Sequence, residues 1–288
     1  MNLMRAERIT DQVSYHGEGP VWWPRWQQLR FVDMFAGDVL TLAGDQVQRT
    51  PVGSPIAAVL RPRMGGGAIV ARERDLALSN FDDLSDLAAF VQLPESDRMR
   101  CNDGGCDPDG AFWIGTLAYS FEAGAGNLYQ LDAGSRRPHR VLDGLSISNG
   151  IGWSPDATTM YLNDSGTGLT WAFDYDPIEG VSGRRVFAEA ADDGLPDGLC
   201  VDAEGGVWTA RYGGGQVNRY SPSGTLEAVI EVPGVSKVTA CCFGGPELDT
   251  LYLTTSRENL DAGAEPAAGS VFAVEPGVVG LPVLGFAG

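Results

Sequence analysis

Several oxygen-bearing side chains stand directly before a glycine in this sequence. They are Glu18, Asn149, Asp197 and the run R-C-N-D at 100–103. Two carboxylates and an amide oxygen are hard ligands, suited to Ca²⁺, Mg²⁺ or Mn²⁺ and acceptable to Zn²⁺ or Fe²⁺. A divalent cation would also offset the repulsion between two carboxylates brought close together. The alternative is that each side chain caps its own turn through a local hydrogen bond.

The elements around these residues predict an all-β protein made of repeats. The apolar stretches are short and bounded by turn residues, which is typical of strands. Turn positions recur about every 45 residues at Pro108, Pro155, Ala203 and Pro246, a period near that of a propeller blade. We therefore predict one domain over residues 1–288, a six-bladed β-propeller with four-stranded blades around a central channel. A β-sandwich or two separate β domains are the alternatives.

A propeller would bring the dispersed polar residues together. The strand nearest the axis of each blade begins at one mouth of the channel, so residues directly before these strands would surround that mouth. Glu18, Asn149 and Asp197 occupy equivalent places in their repeats, and we expect them to meet on the axis. The segment 5–10 is left over from the repeats, and we expect it to complete the last blade and close the ring.

Four motifs occur in order along the chain: H-G-E-G-P at 16–20, R-x-N-D-G-x-x-D-P-x-G-x-x-W-x-G-T at 100–116, S-N-G at 148–150 and P-D-G at 196–198. Together they resemble the SMP-30/gluconolactonase/luciferin-regenerating (regucalcin-like) family over nearly the whole chain. The resemblance implies a six-bladed propeller with one divalent cation in its channel, for which we place calcium or zinc ahead of magnesium, manganese or iron. It implies Glu18, Asn149 and Asp197 as metal ligands, and Arg100 and Asn102 as substrate contacts.

One position departs from the family pattern. Members close to regucalcin carry an acidic residue a few positions after the Gly-Thr of the second motif, where it helps to bind a sugar. Ser120 stands at that place here, and Glu122 lies just beyond it. We include Ser120 among the predicted substrate contacts, while the choice between Ser120 and Glu122 stays open. The departure concerns sugar specificity more than the chemistry.

The activity implied by the resemblance is hydrolysis of a lactone ring, as in a gluconolactonase. A bound cation would polarise the lactone carbonyl and stabilise the oxyanion. Asp197 is the predicted general base and later proton donor, and Arg100 offers a rigid fork of donors to substrate oxygens. We expect Asp103 to brace the following turn, and His16 is near enough to Glu18 in sequence to reach the same mouth.

Other functions remain open at this stage. A non-catalytic calcium-binding propeller could act as an interaction module, and a strictosidine-synthase-like or paraoxonase-like propeller would not require the Glu18, Asn149 and Asp197 set. A serine hydrolase is disfavoured, because the chain has no G-x-S-x-G motif and only two histidines, His16 and His139.

Charge and composition narrow the choice of partners. Lys and Arg total 20 against 38 Asp and Glu, which gives a net charge of −18 and argues against nucleic acid and anionic membranes as partners. No signal peptide or long apolar run is evident, and the five cysteines fit reduced, buried thiols. We predict a cytoplasmic protein that is a monomer or weak oligomer and acts on a small-molecule lactone.

Overall fold

Six twisted β-sheets form the protein, as seen in a computed structural model that describes residues 1–44, 46–191 and 193–288. The innermost strands of the six sheets contact one another in sequence order, and the last returns to the first, so the sheets close into a six-bladed propeller. The predicted fold is therefore confirmed. The described part of the chain holds no helix with the length and apolarity needed to cross a membrane.

The strands follow the chain in an up-and-down order within each blade. They are β1 Asn2–Arg5 and β2 Glu7–Arg8, then blade one with β3 Gly17–Trp23, β4 Gln28–Asp33, β5 Asp38–Ala43 and β6 Gln46–Pro51. Blade two has β7 Ala57–Pro62, β8 Ala68–Arg72, β9 Asp75–Ser79 and β10 Ala88–Gln92. Blade three has β11 Met99–Cys106, β12 Phe112–Ala118, β13 Gly126–Leu131 and β14 His139–Leu145.

The second half of the chain repeats this order. Blade four has β15 Ser148–Trp153, β16 Thr159–Asp164, β17 Leu169–Asp176 and β18 Gly180–Glu189. Blade five has β19 Leu195–Val201, β20 Val207–Tyr212, β21 Gln216–Tyr220 and β22 Leu226–Glu231. Blade six has β23 Val238–Gly244, β24 Thr250–Thr255 and β25 Phe272–Val274. A short 3-10 helix, Met34–Ala36, follows β4.

The N-terminal segment closes the ring. Strand β2 pairs antiparallel with β25, so it supplies the outer strand of blade six and confirms the prediction for segment 5–10 over Glu7–Arg8. Strand β1 was not predicted. It pairs in parallel with β22 and adds a fifth strand to blade five. The first residues thus attach to two neighbouring blades.

A repeated turn fixes how inner strands connect to second strands. In blade three, Asp107 accepts hydrogen bonds from the backbone N–H of Ala111 at 2.8 Å and from Trp113 Nε1 at 2.8 Å. In blade five, Asp202 accepts the same pair of bonds from Gly206 and Trp208, again at 2.8 Å. Both indoles are buried between blades. The carboxylate thereby joins the turn to the core.

Each inner strand carries a register shift near its mouth end, where its pairing with the second strand skips. The shifts fall between Glu18 and Val21, Ala57 and Val59, Cys101 and Gly104, Ser148 and Ile151, Pro196 and Leu199, and Val238 and Ala240. The expectation that the polar residues precede these strands is therefore wrong, because they lie inside them. A bulge turns side chains away from the regular alternation.

Candidate functional site

Asp197 lies at the centre of a cluster of buried acidic side chains in the channel. Its side chain is on the bulge of β19, and the residue is 5% exposed. Burial raises the pKa of Asp197 well above its usual value, the charges of Glu18 and Asp103 raise it further, and the nearby Asn149 side chain lowers it. The ring thus brings Glu18 of blade one and Asn149 of blade four close enough to Asp197 of blade five to affect its pKa.

The ionised form of Glu18 is disfavoured for the same reasons. Burial and the charge of Asp103 raise its pKa to about 8, against the lowering effects of a hydrogen bond from the Gly19 N–H and of the Arg100 and Arg61 guanidinium groups. The Gly19 bond measures 3.0 Å to Oε2. A further positive charge at this place would allow the carboxylates to ionise together.

Asn149 has a buried side-chain oxygen that suits a cation ligand. Its Nδ2 donates to Ser165 Oγ at 2.9 Å, and that hydroxyl donates to the Pro196 carbonyl at 2.5 Å. Its Oδ1 is buried and accepts no hydrogen bond from the described residues. A buried oxygen left unpaired costs about 1–3 kcal/mol, and ligation of a cation would remove that cost. The residues present therefore fit a hard divalent ion.

The candidate ligand set is mixed in chemistry. Among residues 1–44, 46–191 and 193–288, no three His, Cys, Asp or Glu side chains form a metal-binding cluster. The set formed by Glu18, Asn149 and Asp197 contains two carboxylates and one amide oxygen. The backbone carbonyl of Asp197 is fixed from blade four, since Asn163 Nδ2 donates to it at 2.6 Å.

Arg100 and Asn102 form a rigid pair on β11 beside this cluster. Arg100 Nη1 donates to Asn102 Oδ1 at 2.8 Å and to the Cys101 carbonyl at 3.0 Å, while Asn102 Nδ2 donates to the Ser148 carbonyl at 2.9 Å. The guanidinium also lies 5.5 Å from the centre of the Phe35 ring. Both residues are buried, so their polar groups are oriented in advance.

Asp103 does what the sequence predicts and also contributes charge. Its Oδ1 accepts a hydrogen bond from the Gly104 N–H at 2.7 Å, which braces the bulge. The same oxygen lies 3.8 Å from Arg61 Nη2. Burial raises the pKa of Asp103, and Arg61 lowers it. Asp103 is thus a third carboxylate of the channel, which the sequence analysis did not anticipate.

Ser120 lies apart from the buried cluster. It is exposed in the turn between β12 and β13, as is Glu122. Its neighbour Tyr119 reaches across to blade two, where its hydroxyl donates to Glu73 Oε1 at 2.6 Å.

His16 and two other residues complete the wall of the mouth. His16 Nδ1 is 2.8 Å from Ser256 Oγ, and its Nε2 is 3.7 Å from Glu18 Oε1. Burial, with the charges of Arg100 and Lys237, lowers the pKa of His16 to about 3, so the imidazole is neutral near pH 7. The expectation that it reaches the mouth is met.

Two further residues lie at the mouth, of which the sequence analysis did not identify Glu258. Tyr212 donates from its hydroxyl to Glu258 Oε2 at 3.2 Å, and Glu258 follows the end of β24. Neither belongs to one of the four motifs. Tyr212 ends the second strand of blade five, and no sequence motif marks Glu258.

The comparisons with known proteins agree with this architecture. The family model described as SMP-30/gluconolactonase/LRE-like region matches residues 16–257. Regucalcin of Sus scrofa is 34% identical over 302 residues, and regucalcin of Gallus gallus is 35% identical over 305 residues, each covering 100% of both chains.

Solved structures extend the agreement to the backbone. Regucalcin of Agrobacterium tumefaciens, described as a calcium-binding protein, is 28% identical with a TM-score of 0.91 and covers 99% of both chains. A luciferin-regenerating enzyme is 27% identical with a TM-score of 0.88 and covers 98% of this chain and 100% of its own. The resemblance found in the sequence motifs is confirmed: the chain belongs to the SMP-30/gluconolactonase/LRE-like family.

Proposed function

We propose that this protein is a divalent-metal-dependent lactonase. Membership of a family described by gluconolactonase supports a lactonase-like role. The observation that carries the proposal is the convergence of the Glu18 and Asp197 carboxylates with the unpaired Asn149 oxygen, beside the fixed Arg100 guanidinium. This arrangement combines a cation site with a donor for an oxygen-rich substrate.

Glu18, Asn149 and Asp197 would hold the cation, with calcium or zinc as the first candidates. When bound, the ion supplies Lewis acidity for the lactone carbonyl and its developing oxyanion. The remaining catalytic work falls to side chains. Their burial limits competing water in the channel and strengthens the electrostatic interactions there.

Asp197 is the proposed proton carrier. It takes a proton from the attacking water and later returns it to the alkoxide that leaves when the ring opens. Arg100 and Asn102 bind oxygens of the lactone, and their mutual hydrogen bond limits the freedom lost on binding. Ser120, in its exposed turn, is proposed to contact only the outer end of the substrate.

A calcium-binding role without turnover is the second candidate. It is favoured by one particular relative, because the Agrobacterium regucalcin is described as a calcium-binding protein. Both candidates use the same ligands, so metal binding alone does not separate them. Lactone turnover does.

The test is a pH-indicator assay of sugar and simple lactones with chelated protein resupplied with one metal at a time. We expect no turnover in chelator and at least a hundredfold recovery with one divalent ion. Metal binding without turnover of any lactone would favour the second candidate. Full turnover in chelator would contradict the metal-dependent proposal.

A further inference from the structure

The far end of the channel holds a separate apolar cavity of about 300 Å³. Its walls come from the distal ends of the six inner strands and include Val21, Ile151, Trp153, Leu199 and Phe243. Asn149 and Asp197 lie two to four residues earlier on the same strands as these wall residues. At about 3.3 Å per residue along the strands, these wall residues lie about 7–13 Å from Asn149 and Asp197, and Arg61 stands between the cavity and Asp103.

Arg61 is the one charged residue among those that line this cavity. Its Nη1 donates to the carbonyls of Leu60 at 2.8 Å and Gly19 at 3.3 Å. No other hydrogen bond of its guanidinium joins it to the described residues, and the Asp103 carboxylate at 3.8 Å is beyond hydrogen-bond reach. Arg61 therefore keeps free donors, and its side chain retains 15% exposure.

Four cysteine side chains complete the apolar wall. Cys106, Cys200, Cys241 and Cys242 line the cavity, and burial raises the pKa of Cys106, Cys200 and Cys242. Protonated thiols behave as small apolar groups. The wall thus suits a hydrocarbon body, whereas the single guanidinium suits an anionic head.

A C-terminal strap covers this end of the channel. It is fixed at one end by the Gly280 N–H, which donates to the Leu248 carbonyl at 2.8 Å, and at the other by the Phe286 N–H, which donates to the Pro62 carbonyl at 2.8 Å. Residues 281–284 between these anchors line the cavity. The strap crosses from blades five and six to blade two, so it roofs the space.

We propose that this cavity is a binding site for a medium-chain monocarboxylate, with the carboxylate on Arg61 and the chain against the apolar wall. A cavity of about 300 Å³ lies at the lower end of the volumes of small-molecule sites, so it suits a small ligand. Octanoate is a small ligand that carries this charge. Binding here does not require the proposed lactonase activity.

The test is calorimetric titration of the metal-free, full-length protein with octanoate, with 1-octanol as the neutral ligand of equal chain length. We expect one octanoate per chain and at least a tenfold weaker affinity for octanol, because a charge-assisted hydrogen bond is lost. The proposal would be overturned if no octanoate bound at about 10 mM, a concentration that would nearly saturate a site with a Kd of about 1 mM. Equal affinity for both ligands would also overturn it.

Two variants place the ligand. Arg61→Gln should lose the preference for octanoate over octanol while still binding octanol, which also shows that the cavity has folded. Cys200→Phe should fill the cavity and abolish binding of both ligands, with the near-UV circular dichroism spectrum as a check of folding. Unchanged octanoate affinity in either folded variant would place the ligand elsewhere and contradict the proposal.

Discussion

Asp197 and Glu18 are carboxylates that the folded chain holds where their charges are disfavoured. Both are buried, and Asp103 adds a third negative charge. Buried carboxylates that repel one another lower the stability of the fold, and they are common at functional sites because the chemistry requires them.

Replacing Asp197 by Asn should reduce lactone turnover by about 10²- to 10⁴-fold, because the amide cannot accept the proton from water. The substitution conserves shape, and in chelator it should not lower the unfolding temperature, since it removes a buried carboxyl group whose ionisation is disfavoured. Steady-state kinetics beside thermal unfolding measures both effects. Turnover above a tenth of the wild-type value would exclude Asp197 as the base.

Replacing Glu18 by Gln should have opposite effects with and without metal. In chelator near pH 7 the unfolding temperature should rise, because the raised pKa of about 8 makes Glu18 take up a proton on folding, whereas Gln needs none. We expect calcium to raise the unfolding temperature of the wild type, because a ligand that binds only the folded state stabilises it, and this rise should be lost in Glu18→Gln.

Glu122→Gln is the matched control for Glu18→Gln, since Glu122 is exposed in the turn after β12. It should keep the full calcium-induced rise. The same rise in Glu18→Gln as in this control would mean that Glu18 does not bind the ion.

The elements that position the site are bulged strands, and the bulges were not predicted from the sequence. The recurring Pro and Asp-Gly turns identified the blades, so Glu18, Asn149 and Asp197 could be assigned to equivalent places. The glycine after each residue suggested a turn before the strand, whereas the structure uses it within a bulge, as at Gly19 with φ of 53°. Strand pairing, which the local sequence does not contain, makes that distinction.

Contacts between residues far apart in the sequence were likewise not predicted. The hydrogen bond between Arg100 and Asn102 follows from their spacing on one strand, but the approach of Arg61 to Asp103 joins two blades. Likewise, the four residues of β1 give no sign that they pair in parallel with β22.

The repeated Asp turn yields a prediction about stability at the element scale. Asp107→Ala should lower the free energy of unfolding by about 2–4 kcal/mol, because the Trp113 indole and the Ala111 N–H lose a buried acceptor. Urea unfolding measures it, with Asp261→Ala at an exposed position as the control. A loss of less than about 1 kcal/mol would show that the carboxylate does not support the turn.

For the whole molecule, the ring depends on the N-terminal segment. Removing residues 1–5 takes away β1, which only adds to the edge of blade five, and should lower the unfolding temperature by a few degrees. Removing residues 1–10 also takes away β2 and opens blade six, so it should cost several times more. Equal unfolding temperatures for the two truncations would contradict closure through β2.

We expect one divalent cation to bind on the propeller axis between Glu18, Asn149 and Asp197. Anomalous scattering from crystals soaked in Mn²⁺ would locate it. We expect a single strong peak within about 2–2.6 Å of an oxygen of each of the three side chains. A peak that excludes any of the three, or no peak in the channel at saturating Mn²⁺, would contradict it.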